Sequence, residues 1–209
     1  RPWLDLADRL GRLLAAAIEG PPAAIELGFL GPTGGINPAL LGAAALGGFL
    51  HSAIPEQVTL INARLLAARR GLAISERFAD GRPGEPLTLE LRATDPSGAG
   101  AHVHTVAGTV AGDGPGRITA LDGYAVSLDV AGKLLFIAHR DRPGRIGAVG
   151  TLLGERGVNI AAMPVRRQAV RGRAVMIVTL DDPLPRPVLD ELRRIEGLSH
   201  AHYVDLGEL

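Results

Sequence analysis

Apolar residues at the start of the chain fall at Trp3, Leu6, Leu10, Leu13 and Ala17, spaced three and four apart. That spacing predicts an amphipathic helix, ended by Gly20-Pro21-Pro22. The period then drops to two. Ile25, Leu27 and Phe29 alternate with Ala24, Glu26 and Gly28, a half-buried strand closed by Gly31-Pro32-Thr33-Gly34-Gly35. Asn37 before Pro38 joins an N-cap oxygen to a residue that suits the first helical turn. A helix of small residues is expected from there to about Leu50, suited to close packing. Pro55 is expected to open a further helix, with Val58, Ile61, Leu65 and Ala68 on its apolar face and Gly71 as its stop.

Period-two stretches at 72–78, 87–93, 101–110, 117–121 and 124–128 predict strands. Turn signals separate them at Gly81-Arg82-Pro83-Gly84, Asp95-Pro96-Ser97-Gly98, Gly112-Asp113-Gly114-Pro115-Gly116 and Asp122-Gly123. The last has the form of a two-residue hairpin. Residues 1–131 therefore read as an α+β domain with an antiparallel sheet and a few helices on it. After Gly132-Lys133 the pattern restarts. A strand over 134–140 is followed by a helix starting at Pro143 with Ile146, Val149 and Leu153 on its apolar face. A strand from Asn159 to about Gln168, a turn at Arg171-Gly172 and a strand over 174–180 come next. A helix carrying Val188, Leu192 and Ile195 and a last strand to Leu206 complete the chain. Residues 132–209 are thus β-α-β-β-α-β, the ferredoxin-like split unit, and the fold class is α+β in two domains.

Charge is balanced, 22 basic against 22 acidic residues. A nucleic-acid surface needs an excess of cations on one face, so no nucleic-acid partner is expected. No apolar run reaches the ~20 residues of a membrane span; the nearest, over 36–54, is broken by Pro38, His51 and several glycines. There is no cysteine, which removes disulfides, thiol catalysis, thiolate zinc sites and iron–sulfur clusters. No membrane partner and a cytoplasmic location are expected. Lys133 is the only lysine, a mark of genome composition more than of function. The start at Arg1, without a signal-peptide pattern, reads as a piece of a longer protein.

The chemistry concentrates in His139-Arg140-Asp141-Arg142-Pro143-Gly144-Arg145-Ile146-Gly147, a polar corner between strand and helix. In a functional reading the first-turn N–H groups face a carboxylate, His139 assists it, and Asp141 with Asn159 takes an ammonium and a hydroxyl. Such a donor and acceptor set fits a small amino acid. In a scaffold reading, His139 ends a strand, Asp141 starts a turn, and Gly144, Gly147, Gly150 and Gly154 let the helix lie close to the sheet. Either way no nucleophile or acid–base pair accompanies the corner, so no catalytic residue is assigned. The glycine spacing departs from the dinucleotide fingerprint, and Pro143 occupies its turn.

His102 with His104, and His200 with His202, each place two imidazoles on one strand face. With no carboxylate at an obvious offset they read as solvated strand histidines, and no metal is expected. The loop from Gly112 to Gly116 before Arg117 reads as a hairpin that could also hold an anion. Arg166, Arg167, Arg171 and Arg173 read as solvated residues around a turn.

Residues 134–206 resemble an ACT domain, the amino-acid-sensing module. The resemblance rests on His139-x-Asp141-Arg142-Pro143-Gly144-x-Ile146-Gly147-x-Val149-Gly150-x-Leu152-Leu153-Gly154, followed by Val158-Asn159-Ile160-Ala161-x-Met163. This form is similar to the C-terminal domain of the long-form D-3-phosphoglycerate dehydrogenase family. Pro2-Trp3-Leu4-Asp5-Leu6-Ala7, Val58 to Ala67, Arg70-Gly71, Ala107-Gly108-Thr109-Val110 and Arg117-Ile118 to Asp122-Gly123-Tyr124 resemble its intervening, allosteric substrate binding domain.

The resemblance implies a regulatory part of an oxidoreductase that oxidises 3-phosphoglycerate with NAD in the first step of serine biosynthesis. L-serine would bind between paired ACT domains as feedback inhibitor, so self-association into a homo-oligomer is implied. The effector positions fall on His139, Asp141, Pro143, Gly144, Ile146, Gly147 and Asn159. The nucleotide fold and catalytic residues would precede residue 1, so no cofactor is expected in this part. Arg117 matches one basic position of an anion site in some members, but Asp129 and Ala125 stand where others carry basic or imidazole groups. Two alternatives remain open: a free-standing ACT-type sensor or regulatory subunit, and a purely structural oligomerisation module. The related serine dehydratases need cysteines that this chain lacks.

Overall fold

The computed structural model describes residues 1–51, 53–54, 57–81, 84–95, 102–198 and 200–208. They fall into two compact units, Arg1–Val130 and Ala131–Leu209.

The first unit runs α1 (Pro2–Ala17), β1 (Ala24–Leu30), α2 (Pro38–Leu50), α3 (Ala63–Arg69), β2 (Ala73–Ala79), β3 (Thr88–Asp95), β4 (His102–Val110), β5 (Gly116–Leu121) and β6 (Tyr124–Asp129). The stripe Leu6, Leu10 and Leu13 is buried, joined by Leu14. Asn37 caps α2, its side-chain oxygen accepting from the Ala39 N–H at 3.0 Å. The small residues of α2 serve close packing. A Cβ at Gly11 would overlap the carbonyl oxygen of Ala45, and one at Gly48 the carbonyl oxygen of Asp8. Only glycine permits that approach of two helix backbones.

The sheet order is β2-β1-β3-β4-β5-β6. Its neighbours are antiparallel except β1 and β2, which run parallel from Ala24 opposite Ala73 to Leu30 opposite Ala79. The sheet is therefore mixed, where an antiparallel one was expected. The cause is the pair of helices between β1 and β2, since a helical crossover returns the chain to a parallel neighbour. On the outer face, Arg77 reaches Glu90 at 2.8 Å and Glu26 at 3.2 Å, a partly exposed ladder across β2, β1 and β3.

The helix expected from Pro55 is shorter. It begins at Ala63, and its buried positions are Ala63 and Ala67, while Ile61 is 95% exposed and Leu65 is also exposed. Before it, Asn62 accepts from the Thr59 N–H at 2.7 Å and folds that segment into a turn. Pro55 itself, Arg82-Pro83 and the turn at 96–98 lie outside the described residues. The Asp122-Gly123 hairpin forms as expected: both φ angles are positive, 46° and 79°, and Leu121 pairs with Tyr124.

The second unit runs β7 (Lys133–Arg140), α4 (Arg145–Glu155), β8 (Ile160–Ala162), β9 (Val165–Arg167), β10 (Arg173–Leu180), α5 (Arg186–Arg194) and β11 (His200–Asp205). The sheet order is β11-β7-β10-β8, with β9 also beside β10. Leu135, Ile137, Met176 and Val178 of the two central strands pack with Val149 and Leu153 of α4 and Val188 and Leu192 of α5. Each such side chain contributes about 1.5–3 kcal/mol by leaving water.

Two expectations need correction here. The strand predicted over 159–168 is split into β8 and β9 at Met163-Pro164, because proline has no N–H for the ladder. The helix predicted from Pro143 starts at Arg145. Gly144 stands at its N-cap with φ +87°, so Pro143 and Gly144 form a turn ahead of the helix.

Candidate functional site

The corner between β7 and α4 is built on His139, which is 8% exposed at the end of the strand. Its Nδ1 lies 2.9 Å from the carbonyl oxygen of Arg140, so Nδ1 carries a proton. Nε2 is buried and has no partner among the described residues. In the neutral ring that nitrogen accepts, which suits an ammonium or hydroxyl; a carboxylate would need the imidazolium. Asp141 turns toward the β9–β10 loop, where Oδ2 accepts from Arg167 Nη1 at 3.0 Å and the Arg171 N–H at 3.2 Å. The Arg167 hydrogen bond first, and the Arg171 N–H second, hold the Asp141 carboxyl below the usual carboxylate range. Arg167 is thus paired, not merely solvated. The N-cap Gly144 makes no side-chain hydrogen bond to the first turn of α4, where the Arg145 N–H donates to the Arg142 carbonyl at 3.4 Å.

Asn159 is elsewhere. Its carbonyl accepts from the Asp181 N–H at 3.1 Å, its own N–H donates to Asp182 at 3.2 Å, and Nδ2 donates to the Asp181 carboxylate. Leu180 pairs with Ile160 on one side and Lys133 on the other, whereas Arg173 pairs with Arg140. Asn159 therefore lies at the Lys133 end of the sheet and Asp141 at the Arg140 end. At ~3.3 Å per residue the strand between them spans roughly 23 Å. One chain does not bring Asp141 and Asn159 to a common ligand.

The α4 glycines also differ from the scaffold reading. A Cβ at Gly147, Gly150 or Gly154 would meet nothing within 4 Å, so these residues face outward and are not what seats the helix on the sheet. Ile146 on the first turn is 54% exposed.

Arg117, which matches one basic position of the family's anion site, donates to Asp129 at 2.6 Å and to Ser127 at 3.2 Å. Its charge is matched by a carboxylate that would repel a second anion. A shallow hollow of about 810 Å³ is lined by Gly31, Asp80, Gly84 and Glu85 among others, with no histidine among its lining residues.

The sequence reading missed one constellation. His102 and His104 on β4 converge with Asp122 of the β5–β6 hairpin, with His104 Nδ1 and Asp122 Oδ2 3.0 Å apart. The carboxylate absent at any short offset arrives through strand pairing. The signal was present as the Asp122-Gly123 hairpin, but only the β4–β5 register says where that turn lies.

Residues 1–122 match the family model for the D-3-phosphoglycerate dehydrogenase intervening domain, and residues 133–197 match that for the ACT domain. The chain belongs to the D-3-phosphoglycerate dehydrogenase intervening-domain family. Its ACT domain carries the corner just described. The chain is 36% identical over 207 residues to a D-3-phosphoglycerate dehydrogenase of Synechocystis sp., covering 99% of this chain and 37% of that protein. The corresponding enzyme of Mycobacterium tuberculosis is 34% identical (99% and 39%), and that of Bacillus subtilis 26% (99% and 38%). The chain spans under two-fifths of the length of these relatives and answers to their C-terminal part.

Among the described residues the intervening domain has one parallel strand pair and the ACT sheet has none. Among the described residues no helix is long and apolar enough to cross a membrane.

Proposed function

We propose that this chain is the regulatory part of an NAD-dependent 3-phosphoglycerate dehydrogenase and that its ACT domain binds L-serine in a pocket shared by two copies. The buried Nε2 of His139 carries the reading. A buried ring nitrogen without a partner costs about 1–3 kcal/mol, and a ligand hydroxyl or ammonium at the corner removes that cost. The nearby α4 N–H groups suit the ligand carboxylate. Pro143, Gly144, Ile146 and Gly147 shape the approach, and Asp141 offers a negative charge.

The separation of Asp141 from Asn159 supports a two-copy pocket. In an isologous pair whose two-fold axis stands perpendicular to the strands, the two sheets run in opposite directions, so the Arg140 end of one copy meets the Lys133 end of its neighbour. Asn159 of the second copy then reaches the corner of the first. The outward glycines and exposed Ile146 of α4 suit close approach of that neighbour. Serine binding would favour one arrangement of the assembly over another, and such couplings are typically ~1–3 kcal/mol. The oxidation of 3-phosphoglycerate, with its NAD, belongs to a catalytic part outside these two domains.

Titration calorimetry of this chain with L-serine tests the reading. Binding is expected, and it should be lost in His139→Ala and in Asn159→Ala. Unchanged serine affinity in both variants overturns the site, and self-association that no small amino acid alters favours a structural module.

A further inference from the structure

We infer that His102, His104 and Asp122 form a binding site for a divalent transition-metal ion of the zinc type, in the intervening domain and independent of the serine reading. Alternate residues of β4 share a face, and the two rings lie 4.6 Å apart, steeply inclined at 72°. The hairpin delivers the third donor. The Asp122 N–H donates to the Thr105 carbonyl at 2.7 Å, and Asp122 Oδ1 accepts from the Thr105 N–H at 2.8 Å. These two bonds clamp the carboxylate beside β4 and leave Oδ2 3.0 Å from His104 Nδ1.

One donor atom from each residue lies within 4.8 Å of the others. Ligands ~2.0–2.2 Å from a zinc ion are roughly 3.0–3.5 Å from each other. His104 and Asp122 already have that spacing; the exposed His102 ring has only to turn inward. Two imidazoles with one carboxylate select Zn²⁺, Co²⁺, Ni²⁺ or Cu²⁺ over Ca²⁺ and Mg²⁺, which take oxygen ligands. His104 is 8% exposed, so the site is built into the domain rather than lying on two surface rings. Because His102 is exposed, the ion can enter from solvent and complete its shell with water.

His200 and His202 provide the contrast within the same chain. They have the same spacing on β11, but among the described residues no third donor converges on them. A bound ion would tie β4 to the β5–β6 hairpin, replacing the proton of the His104–Asp122 hydrogen bond with a bond to metal.

The test uses the tag-free chain and zinc chloride alone, with calorimetry for affinity and cobalt(II) absorption for coordination. One zinc per chain is expected, with thermal stabilisation by zinc. Affinity should fall more than about tenfold in His102→Ala and in Asp122→Asn, and stay unchanged when His200 and His202 are both replaced by alanine. His102 is exposed, so His102→Ala keeps the fold, which circular dichroism verifies. No stoichiometric zinc binding by the parent chain, or equal affinity in His102→Ala, overturns the site and leaves a structural His104–Asp122 hydrogen bond.

Discussion

Asp141 and Asn159 flank opposite ends of one ACT sheet, because Leu180 is paired with both Ile160 and Lys133 while Arg173 faces Arg140. Two residues expected to touch one small ligand are thereby separated by the length of a strand. A second copy, reversed by a two-fold axis, is the simplest way to reunite them.

Complementation follows from that geometry. Asp141→Ala and Asn159→Ala chains should each bind no L-serine alone. Mixed in equal amounts and allowed to exchange, they should recover about a quarter of the parent stoichiometry, since half the dimers are mixed and each holds one intact pocket. Calorimetry on the mixture checks this, and absence of recovery rejects a shared pocket.

The α1–α2 crossing predicts a contrast among glycines. Gly11→Ala or Gly48→Ala drives a methyl into a helix carbonyl of the other helix and should cost about 2 kcal/mol or more. Gly47→Ala, whose Cβ meets only Val58 at 3.9 Å, should be neutral or gain up to about 1 kcal/mol of helix propensity. Urea denaturation of the three variants separates these outcomes.

Gly150 on α4 offers the opposite pairing of effects. Nothing lies within 4 Å of a Cβ there, so Gly150→Ala should stabilise the isolated chain by about 1 kcal/mol. If α4 meets its copy in the dimer, the same methyl should weaken association. Thermal melts at low concentration and sedimentation equilibrium read the two effects apart.

Asp141 should titrate below an ordinary aspartate. Its folded pKa is lowered by Arg167 and then by the Arg171 N–H, so its contribution to stability is present above about pH 4. That contribution is lost as pH falls through the lower folded value. Carboxyl NMR should show the low midpoint, and Arg167→Ala should raise it toward 3.8.

Local chemistry alone carries much of this fold. The stripe of Leu6, Leu10 and Leu13, the Asn37 cap, the Asp122-Gly123 hairpin and the β-α-β-β-α-β order depend on neighbours a few residues apart, and each was legible. The parallel β1–β2 pair was implicit in the two helices that connect those strands. The α3 start and the Met163-Pro164 break were harder, because an apolar residue such as Ile61 carries the same periodicity signal whether or not anything covers it.

The sequence by itself determined the order and most of the bounds of the elements, the two domains, the family resemblance and the residue types at the corner. Only the tertiary structure decided which of those residues share space. Strand register sent Asn159 away from His139 and Asp141, paired Arg117 with Asp129, and brought Asp122 to His102 and His104. Register is fixed by hydrogen bonding and side-chain packing between segments distant in the chain, and no local pattern encodes it.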